Sequence, residues 1–134
     1  MMEDKIGKVL IVEDDVSLLN LYEMIIKAHG YKVVGKAKNG EEAVDIYKKL
    51  PEKPDVVLMD HRMPIKSGLE ASKEILEHDP EAKIIIATAD QEIKTQMETL
   101  PIQSFKNKPF SNERLINNIQ KALDKADSKP LIKS

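Results

Sequence analysis

At 134 residues the chain is expected to be one domain, able to bury roughly two-thirds of its unfolded surface without a disulfide or structural metal. It has no cysteine, which excludes a thiol nucleophile and a zinc-thiolate centre and fits a reducing, cytoplasmic setting. Its 21 basic and 23 acidic residues are interspersed and leave a net charge of -2, so no basic footprint points to direct nucleic-acid binding, and no apolar run has signal-peptide or membrane-spanning length.

In chain order, Val9, Leu10, Ile11 and Val12 form an apolar run that ends in three acids, Glu13, Asp14 and Asp15. This pattern predicts a strand with carboxylates at its tip. Leu18, Leu19, Tyr22, Ile25, Ile26 and His29 then recur at helical spacing up to Gly30, a helix stop. A short strand is expected over residues 31–34. Asn39, Gly40 and Glu42 announce a second helix, whose apolar face includes Ala43, Val44, Tyr47 and Leu50, and Pro51 and Pro54 end it.

The centre of the sequence is PDVVLMDHRMPIKSG. Val56, Val57, Leu58 and Met59 are continuously apolar, as in a strand covered on both faces of a parallel sheet, and the run stops at Asp60. Ser67 and Glu70 have capping-box spacing and start a helix over residues 68–78, with Leu69, Ala71, Ile75 and Leu76 inward. A fourth strand, Ile84, Ile85, Ile86 and Ala87, ends at Thr88. A weaker fourth helix is expected over residues 90–99, with Ile93, Met97 and Leu100 as its apolar side, before Pro101. A fifth strand around residues 104–106 leads to Lys108, Pro109 and Phe110. Ser111 then caps a last helix with the stripe Leu115, Ile116, Ile119, Ala122, Leu123 and Ala126.

Strand followed by helix, five times over, specifies a doubly wound α/β fold of (βα)5 type, with a five-stranded parallel sheet covered by helices on both faces. Residues 1–127 are expected to form this domain and residues 128–134 a flexible tail.

That topology brings Glu13, Asp14, Asp60, Thr88 and Lys108 to the carboxyl edge of the sheet, where ligands of open α/β sheets gather. Three carboxylates held together repel one another, each pair by about 4 kcal/mol at about 4 Å and an effective dielectric of about 20. A hard divalent cation relieves this. Oxygen donors without histidine or thiol point to Mg²⁺. An aspartate beside Mg²⁺ and a lysine is equipped to attack phosphorus, since phosphoryl transfer needs chiefly positioning and charge neutralisation. Asp60 would become an aspartyl phosphate, met by Lys108 and by a hydrogen bond from the Thr88 hydroxyl.

Over residues 6–126 the chain resembles the receiver domain of two-component response regulators. The matching motifs are LIVEDD, DVVLMDHRMP followed by SG, the threonine of IIIATA and the lysine of KNKPF. The resemblance implies strand order 2-1-3-4-5 and transfer of phosphate to Asp60 from a sensor histidine kinase or a phosphotransfer protein. It implies direct Mg²⁺ ligation by Asp14, Asp60 and the backbone carbonyl of Arg62, with Glu13 acting through water. Lys108 would bind the phosphoryl group, Thr88 and Phe105 would form the switch pair, and the bond before Pro109 would be cis. The output would be a downstream protein bound through the fourth and fifth helices, with no membrane or nucleic acid engaged directly. Such a domain catalyses only its own phosphorylation and dephosphorylation.

Taken singly, these residues have plainer readings. Asp14 and Asp15 could simply favour a helix N-terminus, Phe105 could be core, and His61 reads as a loop residue facing solvent. Arg62 and Asp90, two positions beyond Asp60 and Thr88, could pair and slow dephosphorylation. Pro101 and Ile102 replace the small residues usual in the family, and the stretch from Thr88 to Lys108 is about two residues short for it. These departures fall in the region that reports phosphorylation, so a phosphorylation-independent adaptor or dimerisation module is the alternative. A haloacid-dehalogenase-type phosphohydrolase also uses a strand-end aspartate, but those enzymes carry a second aspartate where this chain has Arg62.

Overall fold

The computed structural model describes residues 7–61, 63–88, 104–107 and 112–124; for Thr88, residues 104–107, Asn112 and Asp124 it describes the backbone. Five strands, β1 (Lys8–Val12), β2 (Lys32–Ala37), β3 (Val56–Asp60), β4 (Ile84–Thr88) and β5 (Ser104–Asn107), alternate with helices α1 (Val16–Ala28), α2 (Gly40–Lys49) and α3 (Gly68–His78), and a C-terminal helix spans Asn112–Asp124. The strands form one sheet in the order β2-β1-β3-β4-β5, with every pairing parallel. The doubly wound fold and its strand order are as expected.

The apolar runs lie in the sheet's interior because each of their faces has its own helices to cover it. Leu10, Val12, Val57, Met59, Ile84 and Ile86 pack with Ala43, Val44 and Tyr47 of α2 and Ala71, Ile75 and Leu76 of α3. On the opposite face Val9, Ile11, Val56, Leu58 and Ile85 pack with Leu19, Tyr22, Ile25 and Ile26 of α1 and Leu115, Ile119 and Ala122 of the C-terminal helix. Each fully buried aliphatic side chain contributes about 1.5–3 kcal/mol of transfer free energy. β3, at the centre, is buried at all five positions, the last being Asp60.

Some details differ from expectation. β2 runs to Ala37 rather than stopping at Val34. Its pairing with β1 passes from Val9↔Val33 to Leu10↔Gly35, skipping one residue, and then continues through Val12↔Ala37. An irregularity of this kind lets the pairing continue past Gly35. Leu50 is the C-cap of α2, outside its buried face, and His29 is the exposed C-cap of α1. The helix expected over residues 90–99, the Ser111 cap, Ala126 and the tail over residues 128–134 lie outside the described residues. Among the described residues, no helix is long and apolar enough to cross a membrane.

Candidate functional site

The site follows from the register of two neighbouring strands. Val12 of β1 pairs with Met59 of β3, so Glu13, just past β1, and Asp60, the last residue of β3, lie side by side. The Glu13 N–H donates to the Ala37 carbonyl at 2.9 Å, which holds the tip of β1 against β2. Glu13 is 3% exposed and Asp60 6%, whereas Asp14 is exposed. Carboxylate oxygens of all three lie within 4.8 Å of one another. At that separation each ionised pair repels by about 3 kcal/mol for an effective dielectric of about 20.

The third acid of the run does something else. Asp15 is the N-cap of α1, and its Oδ1 accepts from the N–H groups of Ser17 at 2.9 Å and Leu18 at 3.2 Å. The helix-capping reading therefore holds for Asp15, while Glu13 and Asp14 belong to the cluster.

Beyond Asp60 the chain turns and enters α3, and the amides of that helix's first turn are all accounted for. Gly68 N–H donates to the His61 carbonyl at 2.8 Å, and Leu69 N–H to His61 Nδ1 at 3.4 Å. Glu70 N–H donates to Ser67 Oγ at 3.2 Å, and Ala71 N–H to the Ser67 carbonyl at 2.9 Å. Glu70 returns the bond to Ser67 N–H at 3.1 Å, completing the expected capping box. A Cβ at Gly68 would collide with the Asp60 carbonyl, so only glycine lets the helix come this close. His61 is 9% exposed and thus buried, contrary to the solvent-facing expectation, because its ring is drawn in over the start of α3.

The same loop is fastened to α2. Gly40 N–H donates to the Lys66 carbonyl at 3.0 Å, and a side chain at Gly40 would strike that carbonyl. Lys66 Nζ pairs with Glu74 of α3. The Glu74 carboxylate, with Glu41 and Glu70 nearby, holds Lys66 above its ordinary lysine value.

Two further strand ends reach this edge. Asp60 pairs with Ala87, the residue before Thr88, and Thr88 pairs with Asn107, the residue before Lys108 in sequence. Arg62 and Lys108, with Phe110 and Asp90, lie outside the described residues, as do the side chains of Thr88 and Phe105. Of the expected site residues, the structure thus brings together Glu13, Asp14 and Asp60. Sequence reasoning missed the part played by His61, which no spacing rule signals.

A parallel sheet ordered β2-β1-β3-β4-β5 reverses direction between β1 and β3, so the acidic cluster sits at a topological switch point, the usual ligand crevice of doubly wound proteins. The chain belongs to the response regulator receiver domain family, whose model matches residues 9–120. It is 40% identical over 116 residues to the chemotaxis protein CheY of Thermotoga maritima, covering 85% of this chain and 95% of that one. It is 36% identical over 118 residues to protein CcdB of Bacillus subtilis, covering 87% and 97%. The fold superposes on the response regulator protein TrrA of Thermotoga maritima in complex with Mg²⁺-BeF with a TM-score of 0.80 at 29% identity, covering 88% of this chain and 100% of that one. Receiver domains are signalling domains of two-component systems, and phosphorylation-dependent switching is the family's function.

Proposed function

We propose that Asp60 is the phosphoacceptor of this receiver, that its phosphorylation is Mg²⁺-dependent, and that the donor is the phosphohistidine of a sensor kinase or phosphotransfer protein. The observation that carries the reading is the approach of the Glu13, Asp14 and Asp60 carboxylates within 4.8 Å at the ends of β1 and β3. The donor set fits Mg²⁺, being hard oxygen without thiol. Asp14 and Asp60 would hold the ion directly and Glu13 through water, all three being within reach of one ion. When bound, the ion supplies neutralisation of the carboxylates and of the charge on the transferring phosphoryl oxygens.

The chain's own residues do the rest. Burial in β3 fixes the Asp60 backbone, and an Asp60 carboxylate oxygen forms the new P–O bond as the donor's P–N bond breaks. The departing imidazole keeps the bonding pair and takes up a proton. Arg62 would offer its backbone carbonyl to the ion, Lys108 would pair with the phosphoryl group, and the Thr88 hydroxyl would donate to it while Phe105 repacks behind. A downstream protein reads that change at the segment 90–99 and the C-terminal helix. The domain works on itself and turns over no separate substrate, in the cytoplasm.

The test is phosphate incorporation from acetyl phosphate, with and without Mg²⁺, in the parent and in Asp60→Asn. Labelling is expected only in the parent with Mg²⁺ present. Unlabelled parent protein with Mg²⁺ demonstrably bound would overturn the phosphoacceptor reading in favour of an unphosphorylated adaptor.

A further inference from the structure

We propose that His61 is a positioning residue for the phosphoacceptor: its buried imidazole ties the turn after β3 to the first turn of α3 and thereby holds the Asp60 carboxylate in the acidic cluster. The proposal rests on the phosphoacceptor reading of Asp60.

A helix starts with four N–H groups that have no partner inside it. The capping box serves two of them, Glu70 N–H donating to Ser67 Oγ and Ser67 N–H to Glu70 Oε1. The other two, on Gly68 and Leu69, both turn to His61, one to its carbonyl and one to its ring. A single residue, seven positions before Gly68, therefore supplies half of the first turn's acceptors. Since an amide N–H can only donate, Nδ1 must be the unprotonated nitrogen, which fixes the tautomer with its hydrogen on Nε2.

The second step is steric. The Asp60 carbonyl lies against the Cα of Gly68 so closely that a methyl group would not fit. The peptide joining Asp60 to His61 is thus pressed onto the helix on one side and bonded to it through the His61 carbonyl and ring on the other. A shift of the His61 peptide away from α3 would lift the Asp60 carbonyl off Gly68 and disturb the strand end that carries the carboxylate. That carboxylate must stay with Glu13 and Asp14 to share an ion, and misplacement by about 1 Å can cost about a hundredfold in rate.

Burial argues the same way. A histidine only 9% exposed has given up most of its water, a cost that the Leu69 N–H bond helps to offset and that an ordinary loop side chain would not incur. The capping box alone would start α3, so the histidine is not needed for the helix to form. Its distinct effect is on the turn that carries the phosphoacceptor.

The test compares His61→Leu, which fills similar space without an acceptor, with His61→Asn, whose Oδ1 can take the place of Nδ1. Three readouts are made on the full chain: Mg²⁺ affinity by calorimetry, the acetyl phosphate labelling rate at saturating Mg²⁺, and the exchange rate of the Leu69 amide. His61→Leu is expected to weaken Mg²⁺ binding and slow labelling about tenfold each, the usual size of a loss in the support of a metal ligand, and to speed Leu69 exchange. His61→Asn is expected to restore all three towards the parent. His61→Ala gives the same expectations should the leucine variant not fold. Parent-like Mg²⁺ affinity in His61→Leu, or equal damage in His61→Asn, would overturn the positioning role. Failure of the parent itself to label would count against Asp60 as phosphoacceptor, while the cation affinities and amide exchange would still decide the role of His61.

Discussion

Ile65 has a φ of 71°, the one positive value for a non-glycine among the described residues, and it is 74% exposed. A β-branched side chain in the left-handed region clashes with its own backbone at a cost of about 1–2 kcal/mol, and exposure gives it no packing in return. The neighbours impose this conformation. Lys66 on its C-terminal side offers its carbonyl to Gly40 of α2 and its ammonium to Glu74 of α3, and Gly68 is locked against Asp60. The strain is therefore held in the loop next to the phosphoacceptor. Asparagine tolerates the left-handed region, so Ile65→Asn is expected to raise the unfolding free energy by about 1 kcal/mol, read as a higher urea midpoint with an unchanged slope. A lower midpoint would show that Ile65 makes a favourable contact that outweighs the strain.

Between elements, α2 and α3 are joined at the end of the sheet away from the acidic cluster as well. The Tyr47 hydroxyl donates to Asp79, the C-cap of α3, at 2.6 Å, and the ring meets His78 edge-on with centroids 6.5 Å apart. Lys53 Nζ lies 5.3 Å from the centre of the same ring and donates to the Tyr47 carbonyl at 2.6 Å and the Lys48 carbonyl at 3.1 Å, closing the C-terminus of α2. Burial, then the bond to Asp79, pushes the Tyr47 phenol above its ordinary 10.0. Because the folded value is the higher one, the folded state keeps this proton where the unfolded chain has lost it. The contribution is fully present below pH 10.0 and declines as pH rises beyond it. Urea titrations between neutral pH and pH 11 are expected to show this extra alkaline loss in the parent and not in Tyr47→Phe, which at neutral pH gives up about 1 kcal/mol for the missing hydrogen bond.

For the molecule as a whole, the carboxylate cluster sets its ion-free stability against its function. Two of the three acids are buried within reach of each other, so the fold alone is strained electrostatically where the ion and phosphate are to bind. Asp60→Asn removes one charge. It is expected to stabilise the ion-free protein by about 3 kcal/mol, the repulsion between the two buried carboxylates of Glu13 and Asp60, since water screens the exposed Asp14. Adding Mg²⁺ should then raise the melting temperature of the parent and leave that of Asp60→Asn nearly unchanged, since a ligand stabilises only the state that binds it. Calorimetric scans with and without Mg²⁺ check both halves, and a parent indifferent to Mg²⁺ would remove the cation from the site.

The sequence by itself determined the alternation of strand and helix, the buried runs of β1, β3 and β4, the capping box at Ser67 and the identity of the three acids. Those features are local. Apolar periodicity and cap spacing are written into neighbouring residues, and parallel strands must end at one edge. What the tertiary structure decided was non-local. The continuation of β2 past Gly35 depends on its pairing with β1, and the division of Glu13, Asp14 and Asp15 between ion cluster and helix cap depends on which way each carboxylate faces. The burial of His61 depends on an amide of α3 eight residues away. A loop histidine with no periodic neighbours carries no signal of its environment, because its partner is chosen only when the strand and the helix have packed.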